Sequence, residues 1–192
     1  MKILEERILR EGKVFPGEVL KVDCFLNHQI DPVLIGQLAD EYYRLFKDEN
    51  VTKVLTIEAS GIAIAIMTAA RFGVPMVFAK KSKTKNIAGD VYTTPIFSYT
   101  HGTTYDVMVS KEFLKPGDRV LIIDDFLAVG KATAGLIEIV KMAGAELVGV
   151  GIAIEKGFQC GGAELRARGI HLESLAIVET MTDDGKITFR GQ

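Results

Sequence analysis

The sequence predicts an α/β protein, a parallel core sheet flanked by helices, and three observations carry that reading. Short apolar, β-branched runs recur at 51–58, 76–79, 120–123, 146–154 and 172–179, the composition of strands buried on both faces. Stretches with apolar residues at helical spacing stand between several of them, at 32–48, 61–72 and 130–142. Breaks at Gly73-Val74-Pro75, at Lys115-Pro116-Gly117-Asp118 and at Gly144 punctuate the alternation. A chain of 192 residues is long enough for one well-buried domain of this kind, and a second is not expected.

Taken in order, the opening MKILEERILREG reads as an amphipathic helix rather than a secretory signal. Pro16-Gly17 marks a turn, and 19–23 is a short extended piece. Residues 25–29 read as a loop whose Asn27, His28 and Gln29 carry both donors and acceptors. Asp31 can cap the next helix, with Pro32 at its first position, and that helix runs to about Asp48. The first core strand, 51–58, ends in Glu58-Ala59-Ser60-Gly61. Small residues at such a junction let an anion approach backbone amides closely.

The second strand, 76–79, is followed by Lys80, Lys81, Lys83 and Lys85. Taken alone, a charge run is a solvated face. Here it follows a strand's carboxyl end, the side on which open α/β sheets bind ligands. Residues 86–104 are polar, with Thr93-Thr94-Pro95 and His101-Gly102 as breaks. Residues 96–100 and 105–110 alternate like a hairpin. The strand 146–154 leads to Glu155-Lys156-Gly157-Phe158. A short helix at 164–168, a last core strand at 172–179 and a terminal hairpin closing on 187–189 complete the chain. His171 has no evident partner and is assigned no role.

Composition narrows the class. Apolar residues make up 48% and charged residues 25%, ordinary for a globular protein. Net charge is −2, so the electrostatic footprint of a nucleic-acid binder is missing. Cys24 and Cys160 lie far apart without a CxxC partner, which indicates neither zinc nor a disulfide framework. Reduced thiols suit the cytoplasm, where the protein is expected. Cys24 and His28 share an i,i+4 spacing, but two further metal ligands are not in sight. The longest apolar stretch, 61–70, is much too short to span a bilayer and closes on Arg71, so no membrane partner is expected.

The richest stretch is 119–134, RVLIIDDFLAVGKATA. A buried strand at 120–123 ends in Asp124 and Asp125; a short loop, 126–129, leads to Gly130 and a helix. One turn thus offers carboxylates for sugar hydroxyls or a metal ion, and free amides at a helix start for a phosphate. It is not a Walker loop, because Ala132 follows Gly130-Lys131 and Asp125 stands where the first Gly is required. Nor is it a dinucleotide fingerprint, since G-x-G-x-x-G is absent.

VLIIDDFLAVGKAT resembles the phosphoribosyl-diphosphate (PRPP) binding motif of the type I phosphoribosyltransferase family. Val129 and Ala132 stand where that motif usually has Thr, which removes two hydroxyls but leaves the backbone cradle. LKVDCFLNHQIDP, the IDDFLA loop and the IEK segment extend the similarity to the family's bacterial xanthine branch, over almost the whole chain. The resemblance implies a type I phosphoribosyltransferase-like core, about 31–154. A hood from 1–30 and 155–192 and a mobile arm over about 82–106 belong to the same single domain, 1–192. It implies purine salvage, the 5-phosphoribosyl group of PRPP passing to xanthine to give XMP and diphosphate. Mg2+ is implied as cofactor, bound mainly through PRPP and diphosphate oxygens, and a homodimer as the assembly.

Residue by residue, Asp124 and Asp125 become the catalytic pair. Ala128, Val129, Gly130, Lys131 and Ala132 take the 5′-phosphate. Glu58, Ala59, Ser60 and Gly61 hold the diphosphate; Lys80 and Lys81 balance its charge, with Lys83 and Lys85 weaker candidates. Leu20, Asn27, Lys156 and Phe158 meet the base. Taken alone, Lys156 is a surface lysine; as an ammonium with three donors and no acceptor it suits an oxopurine rather than adenine. A PRPP-binding regulator without catalysis, and a transferase for guanine or hypoxanthine, remain as alternatives.

Overall fold

The computed structural model describes residues 1–81, 89–98 and 103–191. Its main sheet has six strands: β3 (Lys53–Ile57), β4 (Met76–Ala79), β7 (Arg119–Leu127), β8 (Glu146–Lys156), β9 (Leu172–Met181) and β10 (Ile187–Phe189). Their spatial order is β10-β9-β8-β7-β3-β4. All neighbours run parallel except β10, which returns antiparallel along β9. From β3 the chain steps outward to β4, then returns to lay β7 on the other side of β3 and continues outward through β8 and β9. The strand order therefore reverses between β3 and β7, and the crevice beyond the carboxyl ends of these two strands is where such sheets take ligands.

Apolar side chains of β7 alternate between two cores. Leu121 and Ile123 join the cluster under α1 (Lys2–Glu11), α2 (Pro32–Phe46) and α3 (Ile62–Phe72). Val120 and Ile122 join the cluster under α4 (Lys131–Met142). Helix starts follow the expected chemistry: Asp31 Oδ1 accepts the Val33 and Leu34 N–H groups at 3.0 and 3.1 Å, satisfying donors that have no partner within the helix. α4 begins at Gly130, whose φ of +76° is the left-handed conformation a glycine adopts without steric cost.

Two small hairpins attach to this body. β1 (Lys13–Phe15) and β2 (Val19–Lys21) pair antiparallel and lead into a π-helical turn, Asp23–Asn27, where the sequence predicted a loop. β5 (Val91–Ser98) pairs with β6 (Thr103–Ser110). The second pair is longer than the alternation predicted, because Pro95, read as a break, sits inside β5 opposite Asp106. Both strands of a two-stranded ribbon are edges, so a residue without an N–H costs nothing on the open side. The ribbon seats on α4, where a Cβ on Gly135 would lie 2.6 Å from Ile96 Cδ1. Lys80 and Met108 exchange two backbone bonds of 2.9 Å, which tie the ribbon to the end of β4. Within the expected arm, residues 82–88 and 99–102, with Lys83 and Lys85, lie outside the described residues.

Two further boundaries differ from expectation. β7 continues through the acidic pair to Leu127, its Phe126 and Leu127 paired with Ile154 and Glu155. The pair therefore lies within the strand, and the loop before Gly130 is shorter than predicted. The helix expected at 164–168 begins earlier, as α5 (Gly161–Ala167).

Candidate active site

Asp124 and Asp125 lie side by side near the carboxyl end of β7, 4% and 7% exposed. Two ionised carboxylates this close and this dry repel each other. Burial, with the neighbouring Asp125 charge adding to it, pushes the Asp124 carboxyl well above the usual carboxylate range. Its Oδ1 accepts the Asp125 backbone N–H at 3.0 Å. Asp125 Oδ2 accepts from Asn27 Nδ2 at 2.9 Å, so the π-helical turn of the N-terminal segment closes directly onto the acidic pair.

The loop after β3 meets the same pair from the other side of the reversal. A Cβ on Gly61 would collide with Thr56 Oγ1 and lie 2.8 Å from Asp124 Oδ1. Only glycine leaves room for backbone, hydroxyl and carboxylate together. The Glu58–Ala59 peptide is cis. Glu58 Oε1 accepts the Lys81 backbone N–H at 2.7 Å, joining the β3 loop to the residues after β4. Lys80 and Lys81 then part. Lys81 stands 5.7 Å over the Tyr105 ring and bears electrostatically on Asp124, whereas Lys80 stands 5.9 Å over Phe78. Period 2 along a strand end sends neighbours to opposite faces.

Ala128 to Ala132 form the turn into α4, and the start of α5 braces it. The Gly161 N–H donates to the Ala128 carbonyl at 3.1 Å. A Cβ on Gly161 would collide with that carbonyl and stand 2.8 Å from the Gly130 nitrogen. α5 is itself anchored by an ion pair with a buried carboxylate: Arg166, exposed at the surface, donates to both oxygens of Glu155 at 2.7 and 2.8 Å, and Ser174 Oγ donates to the same carboxylate. Next along β8, Lys156 Nζ donates to the Glu18 carbonyl in the β1–β2 turn at 2.7 Å. Partial burial pulls the Lys156 ammonium below the usual lysine range, against the opposing pull of Glu18. Leu20 is buried in the α1–α3 core, and Phe158 is half-buried against it.

The structure thus gathers Asp124, Asp125, Asn27, Gly61, Glu58 and Lys81 around one reversal point. It sets the 128–132 turn beside them and ties Lys156 to the N-terminal hairpin. Four residues the sequence did not single out complete the surroundings. Thr56 and Tyr42 are fully buried, and their hydroxyls have no hydrogen-bond partner among the described residues. Burial and the charges of Asp124 and Asp125 push the Tyr42 phenol well up. Tyr105 and Gly161 are the other two. Thr56 carried a legible signal, a polar residue within VLTIE; Gly161 had one in the doublet Gly161-Gly162. Tyr42 and Tyr105 had none, since each continues an apolar pattern.

A buried acidic pair at the reversal of a parallel sheet, with a glycine-led helix start beside it, matches a known family. The phosphoribosyl transferase domain model matches residues 22–160, and the chain belongs to that family. It is 59% identical to the xanthine phosphoribosyltransferase of Lachnoclostridium phytofermentans, over 100% of this chain and 99% of that one. It is 54% identical to the xanthine phosphoribosyltransferase of Finegoldia magna, over 97% and 98%. Among solved structures, the adenine phosphoribosyltransferase of Rhodothermus marinus superposes with a TM-score of 0.75 at 22% identity, over 93% of this chain and 100% of that one. At that identity the likeness establishes the shared α/β fold.

Proposed function

We propose that this chain is a purine salvage enzyme that transfers the 5-phosphoribosyl group of PRPP to xanthine, giving XMP and diphosphate. Full-length relatives of that name, at 59% and 54% identity, support the reading. The observation that carries it in this chain is the 2.9 Å bond from Asn27 to Asp125. It links the residue expected at the base to a carboxylate expected at the ribose, which supports a single crevice for both substrates. In this reading residues 1–30 and 155–192 form a hood over the core. The Lys156–Glu18 bond supports that arrangement by joining the two segments.

In the reaction, the bond from the anomeric carbon to the diphosphate oxygen breaks with its electron pair leaving on diphosphate, a bond to a purine nitrogen forms, and the proton that nitrogen carried passes to solvent. Positive charge builds on the ribose in the transition state. Asp124 and Asp125 hold the ribose hydroxyls and stabilise that charge. A cation beside Asp124 opposes the upward push of burial and favours the charged carboxylate. Amides of Ala128 to Ala132 cradle the 5′-phosphate at the start of α4. Glu58 to Gly61 bind and orient the diphosphate, and Lys81, with Lys80 further out, offsets its charge. Leu20 and Phe158 pack the base; Asn27 and Lys156 meet its polar edge.

Mg2+ belongs to the same reading, and the donor set fits it: the acidic pair supplies hard carboxylate oxygens. Among the described residues no third acidic or histidine ligand joins the pair; the pair would hold Mg2+ only in part, and PRPP and diphosphate oxygens would bind it mainly. When bound, Mg2+ neutralises diphosphate charge and orients the leaving group. Among the described residues no helix is long and apolar enough to cross a membrane; a cytoplasmic homodimer is part of the proposal on the family resemblance. The test is nucleotide formation with PRPP, Mg2+ and, in separate reactions, xanthine, guanine, hypoxanthine and adenine. Xanthine is expected to be turned over fastest. A preference for another base would overturn the base assignment, and PRPP binding without turnover would favour a regulator.

A further inference from the structure

We propose that Tyr105 is a positioning residue for Lys81, its ring holding the lysine ammonium at the carboxyl end of the sheet where the departing diphosphate binds. The inference rests on the transferase reading above.

The main chain at Lys81 is fixed from two sides. Its own N–H donates to Glu58 Oε1 at 2.7 Å, and the preceding Lys80 is tied to Met108 by two backbone bonds. The side chain is a flexible four-carbon stem ending in a strongly hydrated point charge, with nothing intrinsic to aim it. Tyr105 supplies the aim. It lies on β6 in register with the buried Val107 and Val109, so its ring faces inward against the core shared with Leu127 and Ile122. The Lys81 ammonium stands 5.7 Å from the ring centroid, within cation–π range. The same residue feels Asp124: burial, then the Asp124 charge, raises the Tyr105 phenol.

Glu58, Lys81, Tyr105 and Asp124 thus form one connected run from the β3 loop, across the ribbon, to β7. A lysine already held over a ring loses less rotational freedom when an anion arrives, which raises affinity for that anion and leaves the base untouched. A cation–π contact at a partly exposed site corresponds to about two- to fivefold in affinity.

The test is a double-mutant cycle. Wild type, Tyr105→Leu, Tyr105→Phe, Lys81→Met and the Tyr105→Leu/Lys81→Met double variant are titrated calorimetrically with diphosphate in the presence of Mg2+. Each is also run in PRPP and xanthine saturation kinetics. Tyr105→Leu is expected to weaken diphosphate binding and raise the KM for PRPP about two- to fivefold, with the xanthine KM unchanged. Tyr105→Phe, which keeps the ring, recovers the loss. On the Lys81→Met background Tyr105→Leu adds nothing, because the cation it holds is gone. The proposal is overturned if Tyr105→Leu leaves diphosphate affinity unchanged, if it acts equally on both backgrounds, or if Tyr105→Phe fails to recover binding. Should Tyr105→Leu not fold, Tyr105→Met takes its place in the cycle. The titration needs no turnover: a wild type that binds diphosphate and PRPP but forms no nucleotide would overturn the transferase reading, while the cycle still decides Tyr105.

Discussion

Gly61→Ala is the sharpest test of how the site is packed. Gly61 has φ −70° and ψ −20°, which alanine adopts without strain, so any effect comes from the added methyl. That methyl would collide with Thr56 Oγ1 and stand 2.8 Å from Asp124 Oδ1. Thr56 is fully buried and Asp124 nearly so, so neither can swing into solvent. Overpacking of this kind costs about 2 kcal/mol, and alanine before a helix caps it no better than glycine. For a chain of this length the melting temperature should fall by about 4–8 °C. Relieving the contact moves the Asp124 carboxylate by roughly half an ångström, and a 1 Å misplacement costs about 100-fold, so kcat should drop about tenfold. The assays are thermal melting and steady-state XMP formation. In a Thr56→Ala background the melting penalty of Gly61→Ala should shrink, while the kcat loss persists because Asp124 is still displaced. Wild-type melting and wild-type kcat in Gly61→Ala would refute the packing argument.

Two further outcomes follow from charge and burial. Asp124 has its carboxyl raised in the folded protein by burial and then by Asp125, so the native state binds a proton there more tightly than the unfolded chain does. Stability from this group is therefore present at low pH and lost as pH rises above the ordinary carboxylate range. Asp124→Asn should raise the melting temperature at pH 7, with the gain fading toward pH 4, while XMP formation collapses; a variant less stable than wild type at pH 7 would contradict the sign. Arg166→Met leaves the 2% exposed Glu155 carboxylate without its guanidinium. Burial raises the Glu155 carboxyl, but the Arg166 and Ser174 hydrogen bonds outweigh it and hold it low. Its stability is present at neutral pH and lost on acidification. The variant should lose about 1–2 kcal/mol at pH 7, less than for a fully buried pair because solvent reaches Arg166, with the penalty shrinking below about pH 4, as read by denaturant unfolding at both pH values.

Much of this architecture was legible. β4 and β10 fall where an apolar run between punctuating residues placed them, and the Asp31-Pro32 start of α2 follows from capping chemistry alone. What escaped did so for physical reasons. Two carboxylates break the apolar pattern of β7, so its last residues looked like loop although backbone pairing to β8 continues beneath them. Pro95 signals a break only where a strand needs its N–H, and an edge does not. The separation of Lys80 from Lys81 needed the strand's face to be known. The bond from Asn27 to Asp125 joins residues 98 positions apart, and nothing in either local pattern announces it. The ion pair of Arg166 with Glu155 spans only 11 positions, but it needs α5 folded back on β8.

The reaction is proposed to take place at the acidic pair near the carboxyl end of β7. That placement is tested most directly by the initial rate of XMP formation from xanthine and PRPP with Mg2+, measured side by side for wild type and Asp125→Ala. Rapid turnover by the wild type is expected, with a loss of at least about 100-fold in the variant and the variant still folded by thermal melting. A folded Asp125→Ala protein that forms XMP at the wild-type rate would place the reaction elsewhere.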